Sequence, residues 1–247
     1  MTETTPTILV LGGTSDIGRA VAREYAARGV AVQLAGRDRD GLDRNARDLQ
    51  VRFGVPATVH LVDALDFAGH AAFVGGLDPL PDVAVCLLGL MEDQAAVEKD
   101  PALASLVLLS NFNGPANLLG LIANRFAARG AGTIVGVSSV AGDRGRARNY
   151  VYGAAKAGLT AFLSGLRARF AGTRIRIVTV KPGFVRTRMT EGMRLPPLLT
   201  ASPEDVATAI RRAEQGRRDV IYVSWKWRVI MTIVRLLPES VFKRLRF

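Results

Sequence analysis

TILVLGGTSDIGRA, residues 7–20, decides how the whole chain is read. Five β-branched and aliphatic residues, TILVL, make a short buried strand, and a glycine pair then breaks it before a Ser-Asp helix start. A glycine-rich turn between a strand and a helix presents backbone N–H groups and the positive end of the helix dipole. That is a ready-made seat for a phosphate. The residues placed to form it are Gly12, Thr14, Ser15, Asp16, Ile17, Gly18 and Arg19. Asp16 is the discordant member, because a carboxylate beside a phosphate repels it unless turned away. It can cap the helix, and Arg19 can offset its charge.

The same strand-then-helix unit recurs along the chain. β-rich runs stand at 7–11, 31–35, 57–62, 82–88, 132–138, 174–180 and 219–223. Helices are expected at 17–28, 40–52, 66–76, 101–129, 151–171 and 203–215, the last opened by Ser202 and Pro203. Such alternation makes a parallel sheet covered by helices on both faces. The fold class is therefore α/β, a single doubly wound Rossmann domain with seven parallel strands. With 247 residues, 49% of them apolar, the chain can bury a continuous core. Residues 1–224 form this domain, including a loop at 184–202 expected over a pocket, and 225–247 form a basic aromatic segment that is no separate domain.

Composition narrows the function. MTETTPT leads straight into ILVLGG, so no signal peptide and a cytoplasmic chain are expected. One cysteine excludes an intramolecular disulfide, and with only His60 and His70 beside it no metal site is expected. The formal charge of +11 points to a polyanionic partner or surface, and the cations thicken at Arg144, Arg146 and Arg148, at Arg186, Arg188 and Arg194, and from Arg211 onward. They are not interleaved with aromatic residues, so no nucleic-acid partner is expected. The apolar run from Val229 to Leu237 is broken by Arg235 and is too short to cross a bilayer.

YVYGAAK, residues 150–156, carries the chemistry. On a helix, positions four apart share a face, so Tyr152 stands over Lys156 whereas Tyr150 does not. An ammonium beside a phenol favours the phenolate and is expected to lower the tyrosine pKa, making it a proton donor to a carbonyl oxygen. Ser139 lies thirteen residues earlier at the end of the fifth strand, and Asn111 lies in the preceding long helix.

In this order and context, Asn111, Ser139, Tyr152 and Lys156, together with the LGGTSDIG turn, resemble the short-chain dehydrogenase/reductase family. The resemblance implies a carbonyl reductase in which Tyr152 gives a proton as hydride arrives from a nicotinamide. It implies that Lys156 binds the nicotinamide ribose, that Ser139 holds the carbonyl oxygen, and that Asn111 fixes a water between the lysine and solvent. Ser138 and Asn113 are the alternatives for the serine and asparagine. In K-P-G-F-V-R-T, Pro182, Gly183, Val185 and Thr187 match the stretch that meets the nicotinamide and a phosphate. Asp63 matches the adenine contact. Two departures mark a divergent member. Leu11 and Asp16 replace the Thr and middle Gly of the turn, and C-L-L-G at 86–89 replaces N-N-A-G, where Gly89 still permits close approach and Cys86 reads as a buried hydrophobe.

At the end of the second strand, LAGRDRD puts Gly36 where an acid would bind the adenosine ribose, and Arg37 follows. That favours NADP(H), with Arg37 and Arg19 as phosphate partners, while Asp38 argues for NAD(H) unless it caps the next helix. Substrate class is read from the arginines: Arg144, Arg146 and Arg148 beside the reaction centre, Arg186 and Arg188 on the opposing loop. With the basic, Trp-bearing tail they resemble the branch of the family that reduces a keto sugar on a polyprenyl phosphate. That implies an oxidase partner that makes the ketone. Residues 225–247 suit either peripheral membrane contact or a terminal helix packed on the core or on another subunit. The alternatives are a soluble reductase of a small ketone or 3-oxoacyl thioester, and a non-catalytic NADP-sensing protein. A homodimer or homotetramer is expected through the helices beginning near 101 and 151, where Gly153, Ala154, Ala157, Gly158 and Ala161 allow close contact.

Overall fold

The computed structural model describes residues 5–245, so Arg246, counted above among the basic tail residues, lies outside the described residues. In chain order the elements are β1 (Thr7–Leu11), α1 (Asp16–Ala26), β2 (Ala31–Gly36), α2 (Arg39–Phe53), β3 (Ala57–Leu61), α3 (His70–Gly75), β4 (Val83–Cys86), α4 (Gln94–Val97) and α5 (Pro101–Leu108). They continue with α6 (Gly114–Arg129), β5 (Ala131–Val137), α7 (Tyr150–Arg169), β6 (Arg174–Lys181), β7 (Phe184–Val185), β8 (Thr200–Ala201), α8 (Pro203–Gln215), β9 (Val220–Tyr222), α9 (Trp225–Leu236) and α10 (Glu239–Phe242). Seven strands form one sheet in the order β3-β2-β1-β4-β5-β6-β9, and every pair in it is parallel. All seven expected strands are present. The order reverses between β1 and β4, which opens a crevice at their carboxyl ends.

The period of two along each strand builds two cores. Ile8 and Val10 of β1 face a cluster with Val21, Leu42 and Ile210, while Leu9 and Leu11 face the opposite cluster with Leu118, Ile122 and Leu163. Tertiary packing shortens the helix expected at 66–76 to His70–Gly75, because Asp66 instead accepts from the Gly69 N–H at 3.1 Å and makes a turn. The long helix expected at 101–129 is present but is interrupted by a π-helical turn at Leu109–Asn113. By length and apolarity the run Pro101–Arg129 is of membrane-spanning kind. Its Leu118, Leu119, Ile122 and Phe126 are fully buried in the second core.

Two segments take a more definite form than the sequence alone shows. The segment 184–202 contains a two-stranded parallel pair, β7 with β8, and lies over the cleft. The tail forms α9, whose Trp227, Met231 and Val234 pack with Val140 and Phe242 in a third small core. Their spacing, i, i+4 and i+7, is the buried stripe of an amphipathic helix. Of the small residues expected at a dimer face, Gly153 and Gly158 are committed within the chain. A Cβ would lie 2.8 Å from Ala141 O at Gly153 and 3.2 Å from the Phe112 ring at Gly158. Ala154, Ala157 and Ala161 are exposed.

Candidate active site

The crevice at the carboxyl ends of the strands is a cleft of about 400 Å³. Its floor is the turn after β1. Gly12 has φ +94, a conformation open to glycine, and a Cβ on Gly18 would run into the Gly12 carbonyl oxygen. Ser15, not Asp16, caps α1: its hydroxyl accepts from the Gly18 N–H at 3.0 Å and donates to Gly12 O at 2.8 Å. Asp16 is turned onto two arginines instead. It pairs with Arg19 at 2.6 Å and accepts from the backbone N–H of Arg188 at 2.8 Å, while the Arg188 guanidinium donates to Thr14 O at 2.8 Å. Burial pushes the Asp16 carboxyl up, but the Arg188 N–H, Arg19 and the Arg188 charge outweigh it and hold the carboxyl below its ordinary value. The group stays ionised, and its two cations leave this end of the cleft net positive.

The opposite wall comes from β5, α7 and the π turn. Ser139, Tyr152, Lys156 and Asn111 all line the cleft. Of the alternatives, Asn113 does not line it, and Ser138 does but with its hydroxyl committed elsewhere. Ser138 is buried and donates to Lys156 O at 2.9 Å, tying β5 to α7, and Asn113 is exposed. The Ser139 hydroxyl accepts from the Ala141 N–H at 3.1 Å and hydrogen-bonds the Tyr152 side chain. Asn111, fully buried within the π turn, donates to Leu90 O at 2.6 Å and Val107 O at 2.8 Å, and its Oδ1 accepts from the Leu90 N–H at 3.2 Å. The widened turn aims the amide inward, as π-bulges at functional sites do. Gly89 lies between it and the lysine: a Cβ there would be 2.5 Å from Asn111 Oδ1 and 3.1 Å from Lys156 Nζ.

The Tyr152–Lys156 electrostatics correct the sequence expectation. Lys156 Nζ is 5.7 Å from the Tyr152 ring centroid, and its nearest acceptors are distant, Val137 O at 3.4 Å and Leu88 O at 3.5 Å. Burial drops the lysine to about 8, and burial pushes the phenol up to about 12, which the Ser139 hydrogen bond only partly offsets. Desolvation, and not the neighbouring ammonium, sets the direction of the phenol's shift.

The arginines expected around the substrate divide. Arg146 and Arg188 line the cleft. Burial lowers the Arg146 pKa, with Asp143 opposing, and one of its N–H groups lies 3.2 Å from Met231 Sδ. Arg144 is not a substrate group. It donates to Val234 O at 2.6 Å and Leu237 O at 2.5 Å, pairs with Glu239 at 2.8 Å, and stacks over Phe242 with its carbon 4.0 Å from the ring centre. These bonds satisfy the orphan carbonyls at the end of α9. Arg148 and Arg186 are exposed and lie outside the cleft lining, because Arg186 sits where β7 pairs with β8 and Arg148 precedes α7 in an open turn.

Pro182, Gly183, Val185 and Thr187 form the third side. A Cβ on Gly183 would fall inside the Trp227 indole, whose Nε1 donates to Leu199 O at 2.9 Å. Phe184 meets the same indole edge-on with ring centres 5.4 Å apart. Sequence reasoning missed Trp227 as the support packed behind Gly183 and Phe184, and it missed the apolar rim of Met91, Met189 and Met193. It also missed a buried triad: Lys181 pairs with Asp143, and the Tyr222 hydroxyl donates to Asp143 Oδ2 at 2.6 Å. At the adenosine end, Asp38 caps α2 by accepting from the Gly41 N–H at 3.0 Å. Arg37 and Asp63 are exposed, 3.9 Å apart, and Asp63 also accepts from the Leu65 N–H at 2.9 Å. Cys86 is fully buried, and desolvation raises its thiol to about 11.

Comparison with known proteins agrees with this geometry. The short chain dehydrogenase family model matches residues 6–196. An uncharacterized oxidoreductase of Mycobacterium tuberculosis is 38% identical over 242 residues, covering 96% of each chain, and one of Streptomyces coelicolor is 38% identical over 241 residues, covering 96% of this chain and 95% of its own. Among solved structures, a short chain dehydrogenase/reductase family protein superposes with a TM-score of 0.79 at 30% identity, over 90% of this chain and 97% of its own. A putative NAD(P) dependent gluconate 5-dehydrogenase from Beutenbergia cavernae with bound NADP gives 0.82 at 26% identity, over 92% and 98%. With its seven-stranded parallel sheet and its Ser139, Tyr152 and Lys156 on one wall of the cleft, the chain is an oxidoreductase belonging to the short-chain dehydrogenase/reductase family.

Proposed function

We propose that the protein is an NADPH-dependent carbonyl reductase in which Tyr152 protonates the ketone oxygen. The observation that carries this reading is the placement of Tyr152 on the cleft wall, hydrogen-bonded to Ser139 and one turn from the buried Lys156. The residues fit a nicotinamide dinucleotide: the Gly12–Arg19 turn for its pyrophosphate, Pro182 to Thr187 along the nicotinamide, and a buried lysine with only distant acceptors for the ribose. When bound, that cofactor supplies the reducing equivalent to the carbonyl carbon. Ser139, fixed by the Ala141 N–H and hydrogen-bonded to Tyr152, stands where its hydroxyl can turn to the substrate oxygen. Asn111 holds the Leu90 backbone and keeps the space beside Lys156 shaped for a bridging water.

The phosphate form is favoured by three facts. Gly36 offers no carboxylate, Asp38 is engaged as a helix cap, and the Arg37 guanidinium is held only by a loose exposed pair. The solved relative from Beutenbergia cavernae carries NADP. For the substrate, Met91, Met189, Met193 and Phe184 give the cleft an apolar wall, with Arg146 and Arg188 as the cations facing it. This suits a ketone with an apolar body and an anionic end, of which a keto sugar on a polyprenyl phosphate, the substrate of decaprenylphosphoryl-2-keto-β-D-erythro-pentofuranose reductase, is the form we favour. An oxidase that generates such a ketone is the corresponding partner enzyme. Self-association through the exposed face of α7 at Ala154, Ala157 and Ala161 is the assembly we propose.

The test is NADPH oxidation against a panel of ketones, including lipid-linked keto sugars and 3-oxoacyl thioesters, with Tyr152→Phe alongside. We expect the variant to lose at least about 100-fold in turnover while binding NADPH normally. Turnover unchanged by that substitution would overturn the mechanism.

A further inference from the structure

We propose that the outer face of α9 docks on the surface of an anionic lipid bilayer. The helix has two apolar faces. One, through Trp227, Met231 and Val234, is buried in the protein. The other is exposed: Trp225 at 73%, Val229 at 49%, Ile233 at 57% and Leu236 at 78%. At about 100° per residue these four positions fall within an arc of about 80°, so they form one continuous stripe. An unburied stripe of this size on a helix that already has its core contact is a binding surface, because a single core-facing stripe suffices to hold a helix in place.

Charge selects the occupant. Between residues 225 and 247 there are six Lys or Arg and one acid, Glu239, which is paired with Arg144. Lys226 and Arg228 border the stripe on its two sides, and Lys243 and Arg244 follow α10 on the exposed surface. An apolar stripe between rows of cations is the pattern of a helix lying in a bilayer interface, its Trp at headgroup depth. A second copy of the chain is disfavoured, since it would bring the same cations face to face. The helix is also tied to the loop over the cleft. Lys226 Nζ donates to Leu198 O at 3.2 Å, joining α9 to the loop whose Met189 and Met193 rim the cleft.

The proposal does not depend on turnover, so its test is separable from that of the reductase reading. The full chain is floated with vesicles of phosphatidylcholine alone or with 30% phosphatidylglycerol, at 0.1 and 0.5 M NaCl. We expect at least tenfold stronger binding to the anionic vesicles at low salt, weakened at high salt, and a blue shift in tryptophan emission. The shift should vanish in Trp225→Phe, because Trp227 is already buried. Trp225→Ser with Ile233→Ser should reduce binding at least tenfold, and Lys243→Glu with Arg244→Glu should do the same. The melting temperature and NADPH affinity of each variant report that the fold is retained. Absence of wild-type binding, or binding that survives the stripe substitutions, overturns the proposal. So does a stripe variant that changes from dimer to monomer with vesicle binding unaltered, which would make the occupant a second copy.

Discussion

Replacing Lys156 with methionine should make the protein more stable and inactive, and the gain should depend on pH. The lysine is 4% exposed, and burial lowers it from 10.5 to about 8. The unfolded chain keeps its proton up to the higher value, and the folded chain releases it near the lower. Between these the unfolded state binds more protons, so this group's contribution to stability rises with pH, and below about 8 its full cost is felt. At about 1.4 kcal/mol per pH unit, the cost is about 3 kcal/mol at pH 7 and about 1 kcal/mol at pH 10. Methionine removes the charge and keeps an unbranched chain. It also strips Val137 O and Leu88 O of their 3.4 and 3.5 Å contacts. That loss offsets about 1 kcal/mol at both pH values. The net gain is then about 2 kcal/mol at pH 7, or roughly 4–8 °C in melting temperature for a domain of this size, and close to nothing at pH 10. Thermal melts of the cofactor-free wild type and variant at the two pH values measure it, and other titrating groups cancel in the difference. Equal gaps at pH 7 and pH 10, or no gap at either, would refute burial as the cause of the low lysine pKa.

Gly183→Ala should destabilise the fold by about 2 kcal/mol or more, since its methyl has no space beside the Trp227 indole. Combined with Trp227→Leu, the loss should be less than the sum of the two single losses, measured by urea titration; strict additivity would place the indole elsewhere. Arg37→Ala should raise the KM for NADPH at least about tenfold and leave NADH use little altered, because only one cofactor carries the added phosphate. Parallel rises with both cofactors would show that Arg37 holds the turn rather than the phosphate.

The strands and the reacting residues were legible because their signals are local. Each strand is a short apolar run, and the spacing of Tyr152 and Lys156 fixes their shared face whatever surrounds them. What escaped was set by contacts distant in sequence. Arg144 reads as a cation beside the reaction centre, and only the position of the α9 carbonyls, about ninety residues on, shows why it points elsewhere. The direction of the Tyr152 shift was misjudged for a related reason. Sequence gives the neighbouring charge but not the desolvation that sets the direction of the shift. Ser15 rather than Asp16 caps α1 because Asp16 has partners at Arg188, which no local motif announces. For the tail the sequence left two readings open, and the inward face of α9, where Trp227, Met231 and Val234 carry the helical period, realises packing on the core.

The Lys181–Asp143–Tyr222 triad joins the loop after Ser139, the approach to Pro182 and the last strand of the sheet. Tyr222 is supplied by β9, so the brace on the serine loop closes only when that edge strand docks beside β6. The last strand of the sheet, far from the nucleotide-binding half in sequence, is thereby coupled to the wall that carries Ser139.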